Sequence, residues 1–264
     1  FFFLSLFLFG LGNISRGQVN ISAGNTVTQN FDGIGTSTTA TLPTGWKVDK
    51  NTTVRTLGTY SSAGTVTEQS AGDNMSTSAA NGIYNYGAGV AGTATDRCVG
   101  WISSSTATKS GNLYVQLKNN GSSTISNFTI SYNVEKYRNG SNAAGFTIQM
   151  YYSTDGSTWT SAGDNFKTSF ASDADNNGFA SAPGATSSVS NKTLSQSLAA
   201  GNSLYLAWNY SVTSGSTTSN AQGLGVDDVS ITAIAPPTTQ ASNITFSNVT
   251  STSMTVGWTN GNGA

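Results

Sequence analysis

The stretch "SNFTISYNVEKY", residues 126–137, sets Phe128, Ile130, Tyr132 and Val134 on one side of the chain and Thr129, Ser131 and Asn133 on the other. A period of two is what a β-strand with one buried and one wet face requires, and it excludes an amphipathic helix. The pattern returns along the chain. "NLYVQLKNN" aligns Leu113, Val115 and Leu117, and "GFTIQMYYSTDG" aligns Phe146, Ile148, Met150 and Tyr152. "SLYLAWNYSV" does the same with Leu204, Leu206, Trp208, Tyr210 and Val212. No window sustains a helical period. Thr154-Asp155-Gly156 and Asn119-Asn120-Gly121 supply the positive φ angles that tight connections need. About ten strands between residues 19 and 234 predict one large antiparallel sandwich, long enough to enclose a sizeable core.

Composition narrows the chemistry. Only 9 % of the 264 residues are charged, against roughly 25 % in an average soluble domain, and uncharged Ser, Thr, Asn and Gly fill the gap. The formal net charge of −1 leaves no basic face for a row of phosphates, which argues against nucleic acid as a partner. There is no histidine, so Ser-His and Cys-His dyads and His-ligated metals are excluded. The single cysteine, Cys98, cannot form an intramolecular disulfide and reads as a small buried side chain.

The two ends differ from the middle. "FFFLSLFLFGLG" is all Phe and Leu over its first nine positions apart from Ser5, the length and character of a signal-peptide core. It is too short for a membrane span, and it lacks the alternation of a buried first strand. Residues 1–17 are therefore expected to be a signal peptide clipped at its start, with the mature chain beginning near Gln18 and secreted to the extracellular space or cell surface. With no Cys after the signal a lipoprotein is not expected, and the lack of disulfides favours bacterial export. At the other end, residues 235–242, "APPTTQAS", read as a linker, because Pro236 and Pro237 cannot donate to a β-ladder.

Residues 243–264, "NITFSNVTSTSMTVGWTNGNGA", resemble the first strands of a fibronectin type III domain, with Met254, Val256 and Trp258 alternating and Trp258 where that family places its core tryptophan. Two strands cannot be stable alone, so other domains of the same polypeptide are expected to follow. The main domain carries three landmarks in order: "NFDGIG…LPTGWKV" at residues 30–48, "MYYSTDGSTWTSAG" in the middle, and "GLGVDDVSITAI" at 223–234. Together they resemble secreted bacterial jelly-roll modules of the cleaved-adhesin and choice-of-anchor type, themselves similar to MAM and galactose-binding-like domains. The resemblance implies an antiparallel jelly-roll β-sandwich in a multidomain surface protein, used for adhesion or glycan binding, commonly with structural calcium and without catalysis.

The candidate sites come from residue chemistry. On the last strand, Asp227 shares the parity of Val229, Ile231 and Ala233, so it is expected on the apolar side, where an unpaired carboxylate is costly. The resemblance implies calcium between acidic residues near the first and last strands, which brings in Asp32, with Asp228 beside it. The alternative, that Asp227 accepts backbone N–H groups and closes a loop, stays open. "SDADNNGF", residues 172–179, offers Asp173 and Asp175 in the front half of a calcium loop. Position 12 counted from Asp173 is Gly184 rather than Glu, so the segment reads mainly as a hairpin tip. Tyr84, Tyr86, Trp101, Trp46, Tyr137 and Arg138 are the residues that could stack on or bond to a glycan, with core packing as the competing role for each ring. Glu68, Glu135 and the 227–228 pair form no glycosidase motif. The sequence thus points to a non-catalytic adhesion or carbohydrate-binding module, its partner a glycan or a host or extracellular surface protein. The alternatives are an accessory domain of a secreted hydrolase and a structural spacer.

Overall fold

The computed structural model describes residues 17–262, so the signal-peptide reading falls outside the described residues except for Gly17. Fourteen strands lie between Val19 and Ile234, more than the ten expected. They are β1 (Val19–Ile21), β2 (Thr26–Gln29), β3 (Trp46–Asn51), β4 (Gln69–Ala71), β5 (Gly82–Gly87), β6 (Arg97–Ile102) and β7 (Ser110–Asn119). The second half adds β8 (Asn127–Arg138), β9 (Phe146–Ser153), β10 (Thr160–Ser161), β11 (Lys167–Phe170), β12 (Ala185–Leu194), β13 (Ser203–Val212) and β14 (Gly223–Ile234). Strands β1, β2, β4, β10 and β11 have two to four residues each, too few to show an alternation.

The strands form two seven-stranded sheets of an all-β jelly-roll sandwich. The first runs β1-β7-β13-β9-β10, with β3 also on β7 and β11 also on β9. The second runs β12-β8-β14-β6-β5-β4, with β2 also on β14. Pairing is antiparallel except β1 with β7 and β4 with β5, two parallel contacts at the margins that correct the purely antiparallel expectation.

The alternating residues meet where their parity puts them. Leu113, Val115, Phe128, Ile130, Ile148, Leu206 and Trp208 are fully buried between the sheets. Trp46 of β3 stacks on Trp208 of β13 at 5.8 Å, and Tyr132 of β8 meets Trp208 edge-on at 5.7 Å from the opposite sheet. Each such ring removes 150–250 Å² from water, so a few of them dominate the core energetics.

The β5–β6 side of the second sheet is buried on both faces, whereas β12 at the other edge is largely exposed. Every residue of β5 and β6 is buried, because loops 72–81 and 171–184 fold over the outer face. Arg138 pins the first loop by donating to the carbonyls of Ser76 (3.2 Å) and Thr77 (2.6 Å). The loops hold each other through Asn74 N–H to Phe179 O (2.7 Å) and Gly178 N–H to Met75 O (3.0 Å). "SDADNNGF" belongs to the second loop. It is not a hairpin tip: β11 pairs with β9 in the first sheet and β12 with β8 in the second, so the segment crosses between sheets.

Beyond the sandwich, β15 (Ser242–Ser247) and β16 (Thr255–Thr259) form a separate antiparallel hairpin with Phe246 opposite Val256. Ile244, Phe246, Met254, Val256 and Trp258 remain exposed there.

Candidate functional site

β14 changes partners halfway along. Its first residues pair with β6 (Leu224 with Trp101, Val226 with Val99), and its later ones with β2 (Val229 with Gln29, Ile231 with Val27). The change falls at Asp227 and Asp228, where a bulge interrupts the pairing with β8 and Asp228 takes a left-handed φ of 49°. The bulge also breaks parity. Val226 lies opposite Val134 on the core side, so Asp227, paired with Asn133, points to the other face of the second sheet. The sequence expectation that Asp227 is buried holds at 2 % exposure, but the expectation that it faces the same way as Val229 does not.

This seam gathers carboxylates. Asp32 sits in the 3-10 turn that comes after β2, and its Oδ1 accepts the backbone N–H of Arg97 at 3.0 Å. Asp96 precedes β6, near enough to Asp227 for their carboxyls to hydrogen-bond when one carries a proton. Glu135 of β8 accepts from the Tyr137 hydroxyl at 2.6 Å, and Asp228 Oδ2 accepts from Asn133 Nδ2 at 2.9 Å. Asp227 Oδ1 is buried with no hydrogen-bond partner. Burial pushes the Asp227 carboxyl up to about 9, and the charges of Glu135, Asp228 and Asp96 add to the shift against one bond from the Asp228 backbone N–H. Asp96 and Glu135 are raised as well, each mainly by burial. Of two adjacent carboxylates, one holds its proton well above the usual range unless a cation lies between them.

The donor set is oxygen throughout, which fits a hard cation such as Ca²⁺ in kind. Among the described residues, no group of three or more Asp, Glu or Cys side chains is gathered closely enough to hold one metal ion. Carbonyl and water ligands would have to complete any shell built on the Asp96–Asp227 pair. A surface depression lined by Thr28, Gln29, Asn30, Asp228, Val229 and Ser230 opens beside it. Asp96 has no strand pattern to mark it in the sequence, because it lies just outside β6.

The other candidate residues are placed elsewhere. Asp173 is bound by Lys136 Nζ (2.6 Å), Gln222 Nε2 (2.7 Å) and the Gly140 N–H (2.9 Å), and Asp175 by Asn139 Nδ2 (3.1 Å) and the Asn177 N–H (2.9 Å). Both tie down the crossover loop. Tyr84, Tyr86 and Tyr137 form a parallel stack with centroids 4.8 and 4.4 Å apart under the covering loops. Trp101 and Trp46 belong to the inter-sheet core, and the Arg138 guanidinium is spent on loop carbonyls. All six are at most 5 % exposed, so none can present a ring face or a free donor to a glycan. Local alternation gives no sign of the loops that cover them.

Fold and site define the chain as an all-β jelly-roll sandwich with a partly buried acidic seam where β2 meets β14. No family model and no curated relative matches the chain. Among solved structures, the K1 cleaved adhesin domain of Lys-gingipain from Porphyromonas gingivalis W83 is similar at 14 % identity and a TM-score of 0.39, covering 80 % of this chain and 99 % of that one. The K3 cleaved adhesin domain of the same protein is similar at 15 % identity and a TM-score of 0.39, covering 78 % and 98 %. TmCBM61 in complex with β-1,4-galactotriose is similar at 7 % identity and a TM-score of 0.32, covering 77 % and 94 %. Likenesses this distant assign no function to the chain.

Proposed function

We propose that the chain is a non-catalytic extracellular module that binds a glycan or a surface protein, within a larger secreted or cell-surface bacterial polypeptide. The observation that carries the reading is the burial of Asp227 and Glu135, the two innermost carboxyls of the seam. They are 2 % and 7 % exposed, while Asp32, Asp96 and Asp228 lie exposed at its edge, and the sequence holds no histidine. A general acid must reach a substrate proton within hydrogen-bond distance, which Asp227 and Glu135 cannot do. Ca²⁺ at the seam would be structural: held by Asp227 with Asp96, Asp228 or Asp32, it would neutralise the buried Asp227 carboxylate and clamp β2 to β14. Residues 243–264 would be the opening strands of a fibronectin type III domain, with the exposed apolar face of β15 and β16 as the side that further strands cover.

The test is an array of glycans and extracellular matrix proteins probed with the whole chain, with calcium and with chelator. Saturable binding to a member of either set is the expected result. Hydrolysis of an arrayed glycan would replace this reading with an enzymatic one, and an empty array would leave the spacer alternative.

A further inference from the structure

The outer face of the first sheet holds aromatic residues that the strand patterns do not single out. Pairing sets Lys47, Tyr114, Ala207, Tyr151 and Ser161 in one row across five strands. The next row is Asp49, Asn112, Asn209, Gln149 and Lys167. The loop after β3 lies over part of that polar row, where Thr56 O accepts from Asn112 Nδ2 (3.0 Å) and Asn209 Nδ2 (3.1 Å). Beside it, Tyr60, Ala63, Tyr114 and Ala207 form a second apolar cluster, separate from the main core. Leu57, Tyr151, Trp159 and Tyr205 pack against that cluster and stay half-buried.

We propose that Trp159, Tyr151 and Tyr205 form a platform that binds a neutral oligosaccharide; the proposal rests on the binding-module reading above and gives it a site. Two observations support it. The rings are fixed before any ligand arrives: Trp159 Nε1 donates to Gly58 O at 2.8 Å with its ring 5.4 Å from Tyr114, and Tyr205 lies 5.1 Å from Tyr60. Pre-organised aromatic faces give contact area at little cost in rotamer entropy. The second observation is electrostatic. Lys167 is paired with Asp164 at 2.6 Å, and Lys47 Nζ donates to the carbonyls of Tyr60 and Ser61. The Arg55 guanidinium donates to Val212 O and Gly215 O, and Asp155 accepts the N–H groups of Ser157 and Thr158. Gln149 Nε2 is likewise engaged, donating to the carbonyls of Met150 and Gly163 at 3.0 Å each. The groups beside the rings that can meet a ligand are the hydroxyl of Thr160 and that of Ser161, which accepts the Gly163 N–H and keeps its own proton to donate. A sugar, with an apolar C–H face and neutral hydroxyls, complements such a surface, whereas a charged ligand would have to compete with the protein partners that already hold each of these charged groups.

The experiment titrates the whole chain with neutral galactan, glucan, mannan and xylan trisaccharides and hexasaccharides, then repeats the titration with Trp159→Ala and Ser161→Arg. Ser161 is exposed and stands in the Tyr151 row, so a long side chain there obstructs the platform without opening the core. The proposal predicts binding by the native chain and a loss of about tenfold or more in both variants, with the Ser161→Arg melting temperature unchanged. Native-like affinity in Ser161→Arg overturns the platform and leaves the binding-module reading standing. Binding only to charged glycans or to proteins overturns the neutral-sugar assignment. If no glycan or protein binds at all, both readings fall.

Discussion

Asp173 and Asp227 are the same side chain in opposite surroundings. Asp173 is partly buried, which by itself raises its pKa, but the bonds from Gln222, Lys136 and the Gly140 N–H prevail and hold it below the usual carboxylate range. A depressed folded-state pKa contributes stability above the unfolded value of about 4 and loses it as pH falls through the folded one. Asp173→Ala should therefore cost roughly 2–3 kcal/mol in denaturant melts at neutral pH, by stranding Lys136, and less as the solution is acidified. Asp227 has the opposite sign. Its pKa, about 9, lies above the unfolded value, so its contribution is fully present below pH about 4 and is lost as pH rises towards 9. In chelator, Asp227→Asn should be more stable than the native chain under mildly alkaline conditions, and the advantage should vanish in acid. A native chain whose melting temperature does not fall over that range would contradict the assignment.

At the scale of elements, β14 is the strand on which fold and site both depend. Its bulge needs a residue that tolerates φ of 49°, which Asp and Asn do and β-branched residues do not. Asp228→Asn should fold normally, while Asp228→Val should lose about 1–3 kcal/mol, measured by denaturant melts. Gly225 has a different constraint, because a Cβ there would stand 2.2 Å from Cys98 Sγ and 3.2 Å from the Tyr86 ring. Gly225→Ala should lower expression and melting temperature together. Much of this architecture is legible in the sequence: the parity of β7, β8, β9 and β13 predicts their core faces, because each side chain's position there is set by its own strand. The β14 bulge is not legible, since one extra residue in β14 relative to β8 leaves the spacing of Asp227, Val229 and Ile231 unchanged on paper while turning Asp227 over. The shared parity of Tyr84 and Tyr86 does place them on a common side, yet whether that side is wet depends on loops roughly 10 to 90 residues away, with no local signature. Trp159 shows in the sequence only as a residue near a turn, because its platform is assembled from β9, β13 and the loop after β3.

At the scale of the whole molecule, the sandwich closes through the seam between β2 and β14, and the hairpin of β15 and β16 has a sheet of its own. Ending the chain at Ala235 should leave the main thermal transition in place and remove binding of an apolar dye, since exposed Ile244, Phe246 and Trp258 leave with the hairpin. The seam is the more consequential feature, because the buried Asp227 carboxyl, repelled by Glu135, Asp228 and Asp96, stands where β2 meets β14. If Ca²⁺ binds there, saturating ion should add about 2–3 kcal/mol, a rise of roughly 5 °C or more in melting temperature for a domain of this size. Among the described residues no helix is long and apolar enough to cross a membrane. The decisive measurement is the melting temperature of the native chain and of Asp227→Asn, each in calcium and in chelator. A structural ion at the seam predicts a calcium-dependent rise in the native chain that Asp227→Asn abolishes; identical melting curves for the native chain in calcium and in chelator would contradict it.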